Sequence, residues 1–171
     1  MVPPKKIRNG PVVVALDRTD EQMIEALQNN ARLSNKELAA QLGIAPSTCL
    51  MRLRRLLEGE VLSGFHAAAR PRALGIGLQA IVAVTLRQHA AEEVAAFRRH
   101  AARLPEVVRL FHMAGRSDFL VHVAVRDAEH LQQLALGGFT TRPEVERIET
   151  SVIFEHLDSH RLPIYRENSD D

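Results

Sequence analysis

The sequence predicts an α+β protein in which an N-terminal winged helix-turn-helix is joined to a C-terminal ferredoxin-like domain. Two observations predict this fold. Three helical patterns follow one another between residues 17 and 57, and a turn containing Gly43 separates the second from the third. Extended and helical patterns then alternate in the order β-α-β-β-α-β between residues 78 and 157. A chain of 171 residues is long enough for two such domains.

The composition is that of a globular protein with an aliphatic core, because 46% of residues are apolar but only 4% are aromatic. Residues 1–77 carry 11 Lys and Arg against 7 Asp and Glu, whereas residues 78–171 carry 11 against 14. This asymmetry fits a nucleic-acid reader joined to another domain. One cysteine excludes an internal disulfide and fits a reducing compartment. We find no secretory signal and no membrane span, so we expect a cytoplasmic location.

A flexible basic arm is predicted over residues 1–15, which hold three prolines and three Lys or Arg side chains. Asp17 can cap the first helix, because its carboxylate can accept a free backbone N–H at the helix start. Ser34 and Glu37 have capping-box spacing and predict the start of the second helix. Gly43 predicts its end, since glycine adopts the left-handed conformation of a helix cap at little cost.

The third predicted helix covers residues 46–57 and begins with Pro46, which suits the first helical position. At about 100° per residue its positions divide into two faces. The buried face holds Cys49, Leu50, Leu53, Leu56 and Leu57, and the exposed face holds Ser47, Thr48, Met51, Arg52, Arg54 and Arg55. A face with hydroxyls at its start and arginines along its length can enter the major groove of DNA. Taken alone, the helix could equally present an ordinary solvated basic face.

A short strand-and-turn pattern over residues 61–67 is interpreted as the wing, so that the winged helix-turn-helix spans residues 16–67. Residues 68–77 contain proline and glycine and are interpreted as a linker. Residues 78–157 form the ferredoxin-like domain, and residues 158–171 form a C-terminal tail. Two helices can cover only one face of the predicted sheet. We therefore expect a second copy of the chain to cover the other face.

With both halves placed, the chain resembles the Lrp/AsnC (leucine-responsive, or feast/famine) transcription regulators from about residue 16 to residue 157. The resemblance is carried by LDRTD at 16–20, LSNKELA at 33–39, LGIAPSTCL at 42–50, RLRRL at 52–56 and AGRSDFL at 114–120. It implies a bacterial or archaeal DNA-binding regulator. It also implies that the βαββαβ domain binds small effectors, typically amino acids, and assembles dimers into octamers or similar rings. The implied effector pocket lies at subunit contacts and includes Gly115, Asp118 and Thr150.

Three positions depart from the family pattern. Ala45 stands where a serine usually caps the recognition helix, and the loss of such a cap costs about 1 kcal/mol. Glu60 stands where a glycine usually precedes the wing, so the wing geometry should differ. Arg116 stands where an acidic residue is common, which should change the ligands that bind. The residues alone also allow Gly115 and Asp118 to form a simple hairpin turn.

We therefore predict a sequence-specific DNA-binding transcription regulator, built as a homodimer that assembles further and controlled by a small effector, most simply an amino acid. The predicted DNA contacts are Ser47, Thr48, Met51, Arg52, Arg54 and Arg55, and the predicted effector contacts are Gly115, Arg116, Asp118 and Thr150. The alternative is an architectural DNA-packing protein with little sequence preference and no effector.

Enzyme function is not expected, because the sequence holds no paired acid and base and no nucleophile motif. His156 and His160 are spaced as neighbours on a helix, but a third ligand is missing nearby. We expect neither a metal site nor a cofactor other than the effector.

Overall fold

A computed structural model describes residues 14–159 and 161–165. The predicted basic arm lies almost entirely outside the described residues. The chain divides into two compact units. Of the described residues, the N-terminal unit contains 14–68 and 157–165, and the C-terminal unit contains 69–156.

The N-terminal unit is built on three helices: α1 (Arg18–Asn29), α2 (Asn35–Leu42) and α3 (Pro46–Glu58). The predicted caps are confirmed, since Asp17 and Ser34 each accept the backbone N–H three residues later and complete a capping box. Gly43 ends α2 at φ 66°, where a side chain would be strained. The core of the unit consists of Met23, Ile24, Ala26, Leu27, Leu38, Ala39, Cys49 and Leu56.

The predicted wing is corrected, because residues 61–70 form no strand. Val61 and Leu62 pack against the helical core instead of pairing with a second strand. The backbone N–H of Leu62 donates to the carbonyl of Leu56 at 3.1 Å, which holds this segment against the end of α3. The packing of these two apolar side chains on the helical core thus takes the place of the predicted strand-and-turn structure. Within the predicted linker, Pro71–Leu74 forms a single 3₁₀ turn.

The C-terminal tail also belongs to the N-terminal unit, which the sequence did not indicate. The Gln28 amide donates to the carbonyl of Leu162 at 3.3 Å, and the backbone N–H of Leu162 donates to Gln28 Oε1 at 2.6 Å. Ile164 packs against the core of the three helices. The last described segment of the chain is therefore fixed to α1.

The C-terminal unit confirms the predicted β-α-β-β-α-β order. Its elements are β1 (Leu78–Leu86), α4 (Ala91–Ala101), β2 (Val107–His112), β3 (Phe119–Val125), α5 (Ala128–Leu134) and β4 (Val145–Val152). The strands form one antiparallel sheet in the order β2-β3-β1-β4. The helical conformation after α5 continues as a π-helical turn over Ala135–Thr140, which contains Gly137 and Gly138.

Alternate residues of β1 and β3 are buried under the helices, which gives the period of two that a half-covered sheet requires. Phe97 of α4 packs on Phe119 of β3 with ring centroids 4.8 Å apart, at the centre of this core. Ile81 and Leu120 lie on the opposite face and are half-buried, and Phe111 of the same face is exposed. The covering of this face by a second copy stays a prediction.

Candidate DNA and effector sites

The outward face of α3 carries a continuous stripe made by Ser47, Leu50, Met51 and Arg54. Their spacing of three, four and seven residues places them on one side of a helix. Together with Arg55 and Glu58 they line a shallow cavity of about 400 Å³. Leu50 is 40% exposed and Met51 64% exposed, so apolar side chains occupy the middle of the stripe.

The exposure of Leu50 corrects its predicted place on the buried face. Cys49 and Leu56 are completely buried and define the direction of the core. Leu50 lies about 100° around the helix from Cys49, and this rotation carries its side chain outward. The pattern of apolar and polar residues in the sequence did not show whether Leu50, at the edge of the apolar face, is buried or exposed.

No side chain caps the start of α3, as the alanine at the capping position, Ala45, led us to expect. Pro46 fixes the first turn, and the Asn35 side-chain amide donates to the Pro46 carbonyl at 2.9 Å. Thr48, a predicted DNA contact, is half-buried, whereas Ser47 is exposed. The first turn therefore presents one exposed hydroxyl beside backbone N–H groups that no side chain caps.

Two of the three predicted arginines are engaged within the unit itself. Arg52 Nη1 lies 2.6 Å from Asp17 Oδ2 and 2.9 Å from Asp20 Oδ1. Arg55 Nη2 also pairs with Asp20. Asp20 is fully buried at the start of α1, and its carboxylate lies between the guanidinium groups of Arg52 and Arg55.

The ion pair between Asp17 and Arg52 shifts the pKa of both groups in the direction that favours their charged forms. The hydrogen bond from Arg52 lowers the pKa of Asp17, and the backbone N–H of Asp20 lowers it further. The two carboxylates raise the pKa of Arg52 in return. Arg54 is exposed and takes part in no ion pair among the described residues. Arg54 is thus the arginine of this helix whose charge is not already matched.

In the C-terminal unit, the predicted effector residue Asp118 is 5% exposed and serves the fold. Its Oδ2 accepts the backbone N–H of Leu86 at 2.8 Å, and its Oδ1 lies 2.6 Å from Nδ1 of His89. Its own backbone N–H donates to Val84 at 3.0 Å. The carboxylate of Asp118 thus bonds a backbone N–H group and an imidazole within the same unit.

The other predicted effector residues lie apart within one copy of the chain. Gly115 makes the turn after β2 at φ 153°, where a side chain would be strained, and Arg116 beside it is exposed. Thr150 pairs with Val82 in the register of β4 with β1, and it is exposed. Since β3 and β1 lie between β2 and β4, these residues are not gathered into one cavity of a single copy. The pocket at subunit contacts stays a prediction.

A cavity that the sequence did not predict lies beside α4 in the C-terminal unit. It has a volume of about 490 Å³. It is lined by His89, Ala91, Val94, Ala95, Arg98 and His112. It is connected to Asp118 through His89, and the His112 ring stacks on Phe119 at 4.8 Å.

A metal centre is not indicated: within residues 14–159 and 161–165, no group of three or more His, Cys, Asp or Glu side chains is placed to hold an ion. His156 faces His122 edge-on with ring centroids 6.2 Å apart, and His160 lies outside the described residues. Burial raises the pKa of the Cys49 thiol, which makes it a poor nucleophile. Among the described helices, none combines the length and apolar character that a membrane span requires.

Two family models match the chain, one in each unit. The AsnC-type helix-turn-helix domain matches residues 16–57, which include all three helices of the N-terminal unit up to the last turn of α3. The Lrp/AsnC ligand binding domain matches residues 79–163, which include the whole four-stranded sheet apart from its first residue.

Known proteins of the same kind are similar to this chain over most of its length. The HTH-type transcriptional regulator AldR of Mycolicibacterium smegmatis is 41% identical over 142 residues, or 83% of each chain. The leucine-responsive regulatory protein of Escherichia coli is 31% identical over 87% of this chain and 92% of its own. A transcriptional regulator of Neisseria meningitidis, solved as its L-Met complex, superposes with a TM-score of 0.77 at 28% identity. That superposition covers 87% of this chain and 97% of the other.

Proposed function

The chain belongs to the Lrp/AsnC family of transcriptional regulators, and we propose that it recognises a specific DNA sequence under the control of a small effector. Its relatives are named transcriptional regulators, so the chain is a regulator with a ligand-binding domain and not an enzyme. The observation that carries the proposal is the exposed stripe on α3. It combines a hydroxyl, two apolar side chains and an unpaired arginine on one helix face.

Each part of the stripe suits one feature of the major groove. Arg54 has the geometry to donate to a guanine edge or to a phosphate. Leu50 and Met51 can contact thymine methyl groups, which are the apolar groups on base edges. Ser47 lies in the uncapped first turn, which is suited to a backbone phosphate.

Arg52 and Arg55 are assigned a different role from the one that their position on the helix first suggested. Their guanidinium groups are held by acids at the start of α1. They therefore position α3 for reading DNA, while Arg54 makes the contact. Thr48 is half-buried and supports the first turn of the helix.

The effector is proposed to be a small metabolite of the amino-acid class, acting on a homodimer that assembles further. The L-Met complex of the Neisseria meningitidis regulator supports this class, because its fold matches the chain over most of its length. The partly exposed apolar face of the sheet supports assembly, since Ile81, Leu120 and Phe111 would be removed from water by a second copy.

The test begins with the selection of bound sequences from a random DNA library by the full chain. Gel-shift titrations with the selected sequence then compare two charge-matched variants. Arg54→Ala should weaken binding by about tenfold, since a good arginine-to-base contact is worth about 1–3 kcal/mol. Arg103→Ala removes the same charge from an exposed position in the C-terminal unit and should leave the affinity within twofold.

The same titration separates contact from positioning. Arg52→Ala should lower both DNA affinity and the thermal stability of the N-terminal unit, whereas Arg54→Ala should leave the melting curve unchanged. If Arg54→Ala binds the selected sequence as tightly as the unmodified chain, the assignment of the α3 stripe is wrong. Equal affinity for selected and random DNA would instead support the architectural alternative.

A further inference from the structure

On the basis of the proposed reading of DNA by α3, we propose that residues 162–164 of the C-terminal tail form a strap that positions this helix, with Gln28 and Ile164 as its two anchors. The inference goes beyond the proposed function, because neither anchor belongs to the α3 stripe. It makes DNA affinity depend on a segment near the far end of the chain. Release of the strap should weaken DNA binding although every residue of the stripe is unchanged.

The first anchor recognises the backbone of the tail and not a side chain. The Gln28 amide donates to the Leu162 carbonyl at 3.3 Å, and Gln28 Oε1 accepts the Leu162 backbone N–H at 2.6 Å. One primary amide thus satisfies both backbone groups of a single residue, as a paired residue of a neighbouring antiparallel strand would. The side chain of Leu162 is 79% exposed and contributes little to the contact.

The second anchor is one apolar side chain. Ile164 is half-buried and packs against the core of the three helices, whereas Pro163 before it and Tyr165 after it are exposed. Pro163 restricts its own backbone and also that of Leu162, because the residue before a proline is confined to extended conformations. The tail therefore loses less conformational freedom when it docks.

The strap acts on the helix that holds α3. Gln28 lies in the last turn of α1, and Asp20 lies in its first turn, where it pairs with two arginines of α3. The core against which Ile164 packs also contains Leu56 of α3. Thus α1 is held by the tail near one end and holds the reading helix at the other, which makes Gln28 and Ile164 positioning residues for DNA recognition.

The contact is also weak enough to open while the unit stays folded. Both hydrogen bonds are exposed, so water can replace either partner at little net cost. Only one half-buried side chain holds the strap in addition. Segments with few buried contacts and exposed hydrogen bonds open locally before the rest of the fold. Docked and released forms of the tail can therefore be compared in an otherwise intact protein.

Hydrogen exchange and gel-shift titration on the full chain test this inference. The Leu162 amide is protected while Gln28 binds it, so its exchange rate in the absence of DNA measures docking. Ile164→Ala should raise this rate by about tenfold, the factor expected from a half-buried isoleucine. It should weaken binding of the selected DNA by about threefold, within the range of residues that act on a site without touching its ligand. Tyr165→Ala, at the neighbouring 87% exposed position, should change neither value.

Two glutamines of α1 provide a second matched pair. Gln28→Ala removes the backbone anchor and should shift both measurements in the same direction as Ile164→Ala. Gln22 is exposed and lies about 240° around the helix from Gln28, so Gln22→Ala should have no effect. Ile164→Val retains an apolar side chain at the second anchor and should keep the affinity of the unmodified chain.

The titrations are made at a temperature at which circular dichroism shows every variant to be fully folded, so that a loss of positioning is not confused with unfolding. The inference is overturned if the Leu162 amide exchanges as fast in the unmodified chain as in Ile164→Ala. It is also overturned if release of the tail leaves DNA affinity unchanged, or if Tyr165→Ala weakens binding as much as Ile164→Ala. Failure of the unmodified chain to prefer the selected DNA would instead contradict the proposed function, and the exchange of Leu162 would still decide whether the strap is docked.

Discussion

The two units each contain a buried aspartate at a position that attracts functional interpretation, and the two differ in what they hold. Asp20 in the N-terminal unit is fully buried and binds two arginine side chains of α3. Asp118 in the C-terminal unit is 5% exposed and binds a backbone N–H and a histidine. Asp20 therefore fixes one helix against another, whereas Asp118 fixes the end of a strand.

The comparison teaches that a buried aspartate in each unit sets the geometry of the elements around it through the groups that it binds. Next to Asp20, the arginine of α3 that takes part in no ion pair among the described residues is Arg54, on the outward face of the helix. Asp118 acts in the same way on the end of β1 and on the segment before α4, through Leu86 and His89.

The largest expected effect comes from stranding Asp20. The double variant Arg52→Ala, Arg55→Ala removes both arginine partners and leaves a fully buried carboxylate without a positively charged group beside it. Removing the partners of a buried charge typically costs about 3–5 kcal/mol, so the free energy of unfolding of the N-terminal unit should fall by about that amount. Amide hydrogen exchange in α1 and α2 measures this change separately from the C-terminal unit.

A third substitution makes the test specific. Adding Asp20→Ala to the double variant eliminates the stranded charge and should recover part of the lost stability, even though the chain then carries three changes in place of two. A further loss of stability in the triple variant would show that Asp20 contributes by its helix cap or packing and not by its pairing with the arginines.

A smaller effect is expected at Asp118. In Asp118→Ala, the buried backbone N–H of Leu86 loses its acceptor and His89 loses its partner. An unsatisfied buried donor costs about 1–3 kcal/mol, so the C-terminal unit should be destabilised by that amount. Asp127→Ala is the matched control, because it removes another carboxylate that accepts one backbone N–H, but at an exposed helix cap. If Asp118→Ala loses no more stability than Asp127→Ala, the buried position of the Asp118 acceptor adds nothing to its contribution, and the prediction is wrong.

The sequence predicted the elements of the fold because their signals are local. The caps at Asp17 and Ser34 and the left-handed Gly43 depend on residues a few positions apart, and the structure confirms them. The wing and the tail required information about distant partners. The strand-and-turn pattern at residues 61–67 predicts a wing, but the packing of Val61 and Leu62 against the helical core decides the conformation of this segment. The docking of the tail depends on Gln28, which lies 134 residues before Leu162.

The candidate sites show the same limit at the level of single side chains. Helical periodicity placed Ser47, Met51 and Arg54 on the exposed face of α3, and they are exposed. Periodicity could not show that Arg52 is occupied by acids from another helix, because the pairing joins residues 35 and 32 positions apart. The cavity beside α4 was not predicted, because its lining residues come from separate segments and form no sequence motif.

The smallest expected effect is a difference in the acid sensitivity of the two units. Burial lowers the pKa of His122 below its ordinary value of 6.5, and the nearby charges of Arg109 and His156 lower it further. The unfolded chain then binds a proton more readily than the folded one, so the C-terminal unit should lose stability as the pH falls below about 6.5. In the N-terminal unit, the hydrogen bond from Arg52 lowers the pKa of Asp17 from 3.8, and that contribution is lost only as the pH falls below this range. Because the Asp17 side chain is 52% exposed, solvent screening keeps its contribution to the stability of the unit small.

Hydrogen exchange measured between pH 7.5 and 4.5 should therefore show protection falling first in β1 and β3 while α1 and α3 stay protected. His122→Gln should flatten this decline, and an equal decline in both units would contradict the assignment of acid sensitivity to the half-buried His122.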